Sequence, residues 1–344
     1  MSLSNKKKYL SAITALVLLS LPGVSMPAVA EDIDNDKAMI TVEGRFAGVD
    51  RYGTSVEVSK GGFLEGTDTV LLASGENFPD ALSATASAAK VDASLLLTKN
   101  SEVPQSVIEE IKRLSPKEII LVGEIQSLNA GVEKTARSLT EKVTRIGGAD
   151  RYETSLNLTK HFFKDTPGHL YITTGEDFPD ALTAGALAGS KQAPLILVPG
   201  KDTLLKEQTK TLLKELAAPK AQVIGGSNSV SEELIREIKG ITPQVERLAG
   251  TTRYDTGIAV AKTWNNPKEV LTASGDTYPD ALTGSVLAAK QQKPLIIGSK
   301  YCGDGPFNRP LLDMGVKTAT IIGGTNTFPS YLLTGTTCEE YPMA

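Results

Sequence analysis

Acidic side chains recur in one eight-residue phrase and are the first candidates for chemistry in this chain of 344 residues. The phrase reads GENFPDAL at 75–82, GEDFPDAL at 175–182 and GDTYPDAL at 275–282. The second copy pairs Glu176 with Asp180, and two carboxyl groups flanking a bond are the machinery of a glycosidase. Hydrolytic sites seldom occur in three near-identical copies, whereas linked weak binding sites gain avidity through their effective concentration. The phrase therefore favours multivalent binding over hydrolysis.

A second repeated phrase supplies one arginine per copy. It reads RFAGVDRYGT, RIGGADRYET and RLAGTTRYDT, and its central arginines are Arg51, Arg151 and Arg253. The positive end of a helix dipole slightly disfavours a cation, so helix capping does not explain these arginines. Two uses stay open. Each arginine can form an ion pair with the Asp of the neighbouring phrase, or it can present a charged fork at the carboxyl edge of a sheet, where α/β proteins bind ligands.

Other nucleophiles and metal ligands are sparse. The two histidines, His161 and His169, lie outside the repeated phrases, and no cysteine stands beside a histidine. The sequence has neither the ligand spacing of a zinc site nor the Walker and GxGxxG loops that bind nucleotides. It therefore predicts no catalytic residue, no metal site and no cofactor, although the paired acids leave a hydrolase open as an alternative.

The repeated phrases belong to a regular alternation of strands and helices. In the second copy KVTRIGG, HLYITTG, PLILV and AQVIGG are β-rich runs, and segments with helical spacing separate them. This alternation predicts an α/β fold in which a parallel sheet carries helices on both faces. Four landmarks recur in the same order, so we expect three modules over residues 40–142, 143–244 and 245–344.

Helix capping offers a structural use for the polar residues of both phrases. Proline suits the first turn of a helix, and each acidic phrase has an N-cap type of residue two positions before its proline. The predicted caps are Asn77, Asp177 and Thr277. The predicted carboxylates at the third helical position are Asp80, Asp180 and Asp280. Asp50, Asp150 and Thr252 are expected to cap the helices that begin at the arginines.

Residues 1–30 have the layout of a secretory signal peptide. Three lysines precede an apolar run, and a small-x-small cleavage site ends it. The run is shorter than the roughly 20 residues of a membrane span, so we expect a secreted protein without a membrane span in its mature form. Loss of the three lysines takes the formal net charge from −4 to −7, which argues against nucleic acid as a partner.

Outside the cell Cys302 and Cys338 could form a disulfide or stay as thiols, because spacing does not fix their geometry.

The chain resembles the cell wall binding repeat 2 family of Gram-positive surface proteins. The resemblance rests on the two phrases, the PLIL type of strand and their threefold order. The resemblance covers the whole chain after residue 30. It implies three Rossmann-like or Toprim-like modules in a pseudo-threefold arrangement. It also implies that a Pro-Ile-Leu-Leu type of strand in each module supports attachment to the wall. The matching residues are Pro194, Leu195, Ile196, Leu197, Pro294, Leu295, Ile296 and Ile297.

The apolar strand residues also have a purely structural explanation. Apolar residues of this kind form buried strands, in which case substitution would damage folding rather than ligand contact. The first module departs from this pattern, because it has Ser94 where the others have proline.

The resemblance implies non-covalent attachment to the cell wall through an anionic polysaccharide or teichoic-acid-like polymer. Three modules account for residues 40–344, so we expect a surface-layer-associated protein without a separate effector domain. Other surface-layer proteins are possible partners. The alternatives are a wall hydrolase (an amidase or a glycosidase) and an adhesin that binds host matrix.

Overall fold

The structure is a computed structural model that describes residues 39–165, 168–300 and 307–334. The predicted signal peptide and both cysteines lie outside the described residues. The strands are β1 (Thr41–Phe46), β2 (Thr69–Ser74), β3 (Ser94–Thr98), β4 (Glu118–Val122), β5 (Lys142–Ile146), β6 (Leu170–Thr174), β7 (Leu195–Val198), β8 (Lys220–Ile224), β9 (Gln244–Leu248), β10 (Glu269–Ser274), β11 (Leu295–Gly298) and β12 (Thr318–Ile322).

Helices connect these strands along the chain. They are α1 (Arg51–Gly62), α2 (Pro79–Lys90), α3 (Gln105–Leu114), α4 (Ala130–Leu139), α5 (Arg151–Phe162), α6 (Pro179–Ser190), α7 (Glu207–Leu216), α8 (Glu232–Lys239), α9 (Arg253–Ala261), α10 (Pro279–Lys290) and α11 (Asn308–Asp313). Short 3-10 segments occupy Lys262–Trp264 and Ser330–Leu332.

The strands form three parallel sheets of four strands within the described part of the chain. Their orders are β3-β2-β4-β5, β7-β6-β8-β9 and β11-β10-β12-β1. The chain moves from β2 to one side for β3 and then back past β2 for β4. Since crossovers between parallel strands are right-handed, α2 and α3 cover opposite faces of the sheet. This confirms the α/β class and the sandwiched parallel sheets predicted from the alternation.

The sheets are offset from the sequence repeats by one strand. The KVTRIGG strand β5 opens the second repeat, yet it pairs with β4 of the first sheet. In the same way β9 pairs with β8, and β1 pairs with β12 near the other end of the described chain. The first strands of the second and third repeats therefore belong to the preceding sheets. Strand β1 of the first repeat belongs to the sheet of the third repeat, so the three sheets form a closed ring. Repetition in the sequence could not show this, because the pattern of a strand does not say which neighbour it pairs with.

Three small-residue helices, α2, α6 and α10, pack against one another at the centre of the ring. Their side chains are mostly Ala, Gly, Ser and Thr, and almost all of them are buried. A Cβ atom on Gly189 would lie 2.8 Å from the Cβ atoms of both Ala89 and Ala289. The three helices therefore meet around a pseudo-threefold axis at a separation that larger side chains would prevent.

A helix covers the outer edge strand of each sheet: α1 lies on β3, α5 on β7 and α9 on β11. The Leu97 N–H donates to Ser55 Oγ at 3.2 Å, and the Leu197 N–H donates to Ser155 Oγ at 2.9 Å. These bonds satisfy edge N–H groups that would otherwise offer a template for another strand. They also fix α1 and α5, whose first residues are Arg51 and Arg151.

Candidate functional site

Three aromatic rings meet on the axis at the start of the central helices. Phe78, Phe178 and Tyr278 each stand directly before the proline that begins α2, α6 or α10. The ring centroids are 5.6 Å apart for Phe78 and Phe178, 5.5 Å for Phe78 and Tyr278, and 5.8 Å for Phe178 and Tyr278. Contacts of this geometry stabilise aromatic clusters. We call these three residues the aromatic triad.

Two of the repeated arginines lie over the aromatic triad from neighbouring modules. The Cζ atom of Arg51 is 5.8 Å from the centroid of the Tyr278 ring, and that of Arg151 is 5.5 Å from the centroid of the Phe78 ring. Both arginines also donate through Nη1 to a backbone carbonyl that follows the second strand of their own module, at Gly75 and Gly175. Each guanidinium thus bridges two modules, and part of its cationic surface stays accessible.

Arg253 alone meets the ion pair expected from the sequence, because its Nη2 lies 3.5 Å from Asp177 Oδ2. Asn77 and Thr277 stand at the positions equivalent to Asp177, and neither is charged. Arg51 and Arg151 accordingly contact rings and carbonyl oxygens, and Arg51 Nη1 also donates to the Tyr278 hydroxyl at 3.2 Å. Their positive charges are not neutralised by a carboxylate at that position.

A cleft of about 360 Å³ opens beside Arg253, between the second and third sheets. Its walls are the loop after β8, with Ser227 and Asn228, and the start of α9, with Thr251 and Thr252. The cleft lies at the carboxyl ends of parallel strands and at a helix N-terminus, where α/β folds place their ligands. Hydroxyl, amide and guanidinium groups line it, and this set suits a hydroxylated, anionic ligand.

The aspartates of the repeated phrase each bond to a loop at the carboxyl ends of the strands, and Asp180 lines this cleft. Ser127 Oγ donates to Asp80 Oδ2 at 2.6 Å, and Thr327 Oγ1 donates to Asp280 Oδ2 at 3.2 Å. Asp180 has the same kind of bond from Ser229. Gly225, in the loop after β8, has φ +116°, and a Cβ atom there would lie 2.5 Å from Asp180 Oδ2. The carboxylates therefore fix the loops that follow β4, β8 and β12.

Burial raises the pKa of both Asp180 and Asp280, while their hydroxyl partners act in the opposite direction. These aspartates stand at the second helical position, one earlier than the sequence suggested. The helices begin at proline with Phe78, Phe178 or Tyr278 at the cap position and no side-chain cap bond. The predicted caps Asn77, Asp177 and Thr277 were therefore wrong, because proline at the first helical position places the cap one residue later.

The predicted caps of the arginine-bearing helices are confirmed. Asp50 accepts from the Gly53 N–H at 2.8 Å, and Asp150 accepts from the Glu153 N–H at 2.9 Å. Thr252 forms a complete capping box with the third helical residue. These caps fix the first turns of α1, α5 and α9, so the positions of Arg51, Arg151 and Arg253 follow from local sequence.

The strand residues singled out by the resemblance lie in the core. Pro194 and Pro294 are buried, and the residues after them in β7 and β11 are at most 2% exposed. They therefore present no surface to a ligand in this structure. The third-module strand packs under α9, and an added Cβ atom on Gly275 would lie 3.3 Å from Ile297 Cβ.

The carboxylates considered as a hydrolytic pair have separate structural partners. Glu176 lies 3.9 Å from Lys201, and Asp180 is bonded to Ser229.

Among the residues that the structure describes, none of the helices has the length and apolar character of a membrane span. The sequence reasoning missed the aromatic triad, although the aromatic residue before each proline was a visible signal.

These features define a protein of three α/β modules arranged around a pseudo-threefold axis. The model of the family described as cell wall binding domain 2 (CWB2) matches residues 45–133, 145–235 and 247–332. The chain belongs to this family, and attachment to the cell wall is the function that the family indicates.

Solved structures show the same fold. Cwp6 from Clostridium difficile superposes with a TM-score of 0.77 at 30% identity, over 87% of this chain and 49% of that one. Cwp8 from the same organism gives 0.73 at 27% identity, over 84% of this chain and 50% of that one.

Two curated proteins of Bacillus subtilis (strain 168) share part of the sequence. The N-acetylmuramoyl-L-alanine amidase LytC is 31% identical over 53% of this chain and 36% of its own length. The amidase enhancer is 30% identical over 75% of this chain and 35% of its own length. The chain thus spans about a third of the length of these relatives.

Proposed function

We propose that this protein attaches non-covalently to the Gram-positive cell wall by holding an anionic wall polymer at three related sites. The observation that carries the proposal is the placement of Arg51 and Arg151 over the aromatic triad, with Arg253 at the equivalent helix start beside Asp177. All three stand at helix starts on one side of the ring of modules. Phosphate or carboxylate groups of the polymer would meet these guanidinium groups and nearby backbone N–H groups.

Three linked sites explain how weak contacts give firm attachment. A polymer held at one site reaches the next as an intramolecular event, so its effective concentration there is high. The formal net charge of the whole chain is −4, and bulk attraction therefore does not draw an anion to this surface. Local arginines must supply the binding free energy, which makes them the residues to test.

The buried strands contribute to attachment indirectly in this proposal. β7 supports α5, which begins at Arg151, and β11 supports α9, which begins at Arg253. Substitutions in Pro194, Leu195, Ile196, Leu197, Pro294, Leu295, Ile296 or Ile297 would displace those helices. Loss of wall binding in such variants would then accompany loss of stability.

The remaining features of the proposal concern location and activity. The signal-peptide pattern of residues 1–30 supports secretion, and wall binding supports residence in the surface layer beside other surface proteins. We propose that the protein catalyses no reaction there. The similarity to the amidase supports no catalytic role, because the chain matches 36% of that enzyme and the family describes a binding domain.

The test replaces Arg51, Arg151 and Arg253 together with glutamine and measures co-sedimentation with purified walls of the producing organism. A matched control replaces Arg137, Arg236 and Arg309, which pair with acids on their own helices and are 56%, 68% and 62% exposed. Both variants lose three charges. Since a hydrogen bond to a charged group contributes about 1.5–3 kcal/mol, the first variant should bind at least a hundredfold more weakly and the control should bind normally.

Two further measurements separate the alternatives. Walls stripped of secondary polymers by acid extraction should no longer retain the parent protein, and circular dichroism should be the same for parent and variants. Equal binding by the two triple variants would refute the role of the arginines. Release of soluble wall fragments over time would indicate a hydrolase, and retention on host matrix by wall-free protein would indicate an adhesin.

A further inference from the structure

A second polar pocket lies at the opposite end of the second sheet from the arginines. Its volume is about 340 Å³. It is bounded by the start of β6, with His169 and Tyr171, and by Lys191 and Gln192 after the end of α6. Thr263, in the 3-10 segment after α9, closes one side. The pocket belongs to the amino ends of the strands, so it is separate from the proposed polymer sites.

Tyr171 is an unusual residue for its place in the fold. Its register partner in β7 is Leu195, and the equivalent positions in the other two sheets are Leu71 and Leu271. Tyr171 is 2% exposed, and its hydroxyl has no hydrogen-bond partner within the described residues although it lines the pocket. The hydroxyl oxygen is reached from the pocket and is not sealed in the core, so it can bond to a ligand there.

Burial raises the pKa of Tyr171 to about 12. The hydroxyl therefore keeps its proton near neutral pH and can donate a hydrogen bond to a ligand in the pocket. The His169 ring stacks on Tyr171, with centroids 6.2 Å apart and an interplanar angle of 17°. The pocket consequently has one fixed donor and one titratable ring side by side.

Positive charge dominates the surroundings of this pocket. Lys191 and Lys220 both act on His169, and neither forms an ion pair within the part of the chain that the structure describes. The acid that faces the ring is Glu246, whose carboxylate is 3.4 Å from the Gln222 amide nitrogen. Burial first, and then the two lysines, lower the pKa of His169 against the opposite effect of Glu246.

We propose that this pocket binds a phosphate group, either as the free ion or on a phosphorylated sugar of monosaccharide size. The Tyr171 hydroxyl donates to one oxygen, Lys191 supplies a charge-assisted bond to another, and His169 contributes when protonated. Several donors around one group suit phosphate, whose oxygens accept more than one bond each. The other two modules have leucine in place of Tyr171, so this site occurs once and not three times.

The test follows the two histidines by NMR in the full chain labelled selectively at histidine. His169 reports on the pocket, and His161, on the exposed side of α5, is the internal reference. Titration with inorganic phosphate should shift the His169 signal and raise its pKa, while His161 stays unchanged. Binding should strengthen as the pH falls through the pKa of His169, because the protonated ring adds a positive charge.

Variants decide whether the pocket itself is responsible. Tyr171→Phe and Lys191→Gln should each weaken phosphate binding about tenfold. Lys239→Gln, an equal change of charge at an exposed position of α8, should leave binding unchanged. Phenylalanine suits a position that is leucine in the other sheets, so the first variant should fold.

Glucose 1-phosphate and glucose distinguish the two sources of the ligand. Tighter binding of the sugar phosphate than of phosphate would assign a phosphorylated sugar, and equal binding would assign the free ion. Equal shifts of His161 and His169, or phosphate binding by both pocket variants at the parental affinity, would overturn the proposal. Wall binding by the same variants should stay normal, so this result is independent of the proposed function.

Discussion

Replacing Gly257 with serine should stabilise the third module. Gly257 in α9 stands where Ser55 and Ser155 stand in α1 and α5, and those serines accept hydrogen bonds from edge-strand N–H groups. Glycine offers no acceptor to the equivalent Ile297 N–H. A Cβ atom on Gly257 would lie 3.4 Å from Thr183 Cγ2 and 3.7 Å from Ile297 Cγ1, which is ordinary contact distance. The serine side chain therefore fits.

Two contributions set the size of the effect. A residue with a side chain is favoured over glycine inside a helix by about 0.3–1 kcal/mol. A new intramolecular hydrogen bond adds about 0.5–1.5 kcal/mol. We expect the free energy of unfolding of the third module to rise by about 1–2 kcal/mol in the Gly257→Ser variant.

Urea unfolding followed by Trp264 fluorescence measures this change locally. Trp264, the single tryptophan of the chain, follows α9, and its Nε1 donates to the Gln292 carbonyl at 3.0 Å. Gly257→Ala is the matched control because it supplies the side chain without the hydroxyl. The reciprocal variant Ser155→Ala should destabilise the second module by about 1 kcal/mol. A serine variant less stable than the alanine variant would refute the reasoning, since it would show that the hydroxyl finds no amide.

Three further predictions test buried polar contacts by urea unfolding. Glu110→Gln should cost about 2 kcal/mol, because the fully buried Glu110 side chain bonds Ser59 and Arg113; an unchanged midpoint would contradict this. Tyr278→Phe should cost about 0.5–1 kcal/mol by removing the hydroxyl bond to the Gly75 carbonyl at 3.2 Å, and a loss of several kcal/mol would mean that the ring had moved. Burial raises the pKa of Asp280, so its stabilising contribution is present below the unfolded pKa of about 3.9 and is lost as pH rises through the folded pKa. The Asp280→Asn variant should therefore gain stability relative to the parent between pH 4 and pH 7. A difference in stability that stays constant over this range would disprove the prediction.

Local sequence predicted the structural features that are decided by interactions between residues close together in the chain. The alternation of apolar runs and helical spacing predicted the parallel sheets, since pattern and length set the element type. Asp50, Asp150 and Thr252 predicted the starts of three helices, because a cap acts within its own turn. The caps at Asn77, Asp177 and Thr277 failed since the adjacent proline, which is equally local, shifts the start by one residue.

The candidate site was predicted in its residue types but not in its geometry. Arg51 and Arg151 were singled out, yet the expected ion pair forms only at Arg253, where the neighbouring module supplies Asp177. The repeated aromatic residues gave no hint that Phe78, Phe178 and Tyr278 meet. Their contact depends on three helices converging from positions about one hundred residues apart in the chain.

The sequence by itself determined the elements, their threefold order and the family, because each repeat contains the periodicity, caps and turns of its own strands and helices. The tertiary structure alone decided that each repeat lends its first strand to the preceding sheet and that β1 closes the ring. It alone decided that the PLIL type of strands are buried and that Arg51 and Arg151 lie over rings of the aromatic triad. Strand pairing and convergence on an axis depend on contacts between distant residues, and the pattern of a single repeat has no information about its neighbours in space.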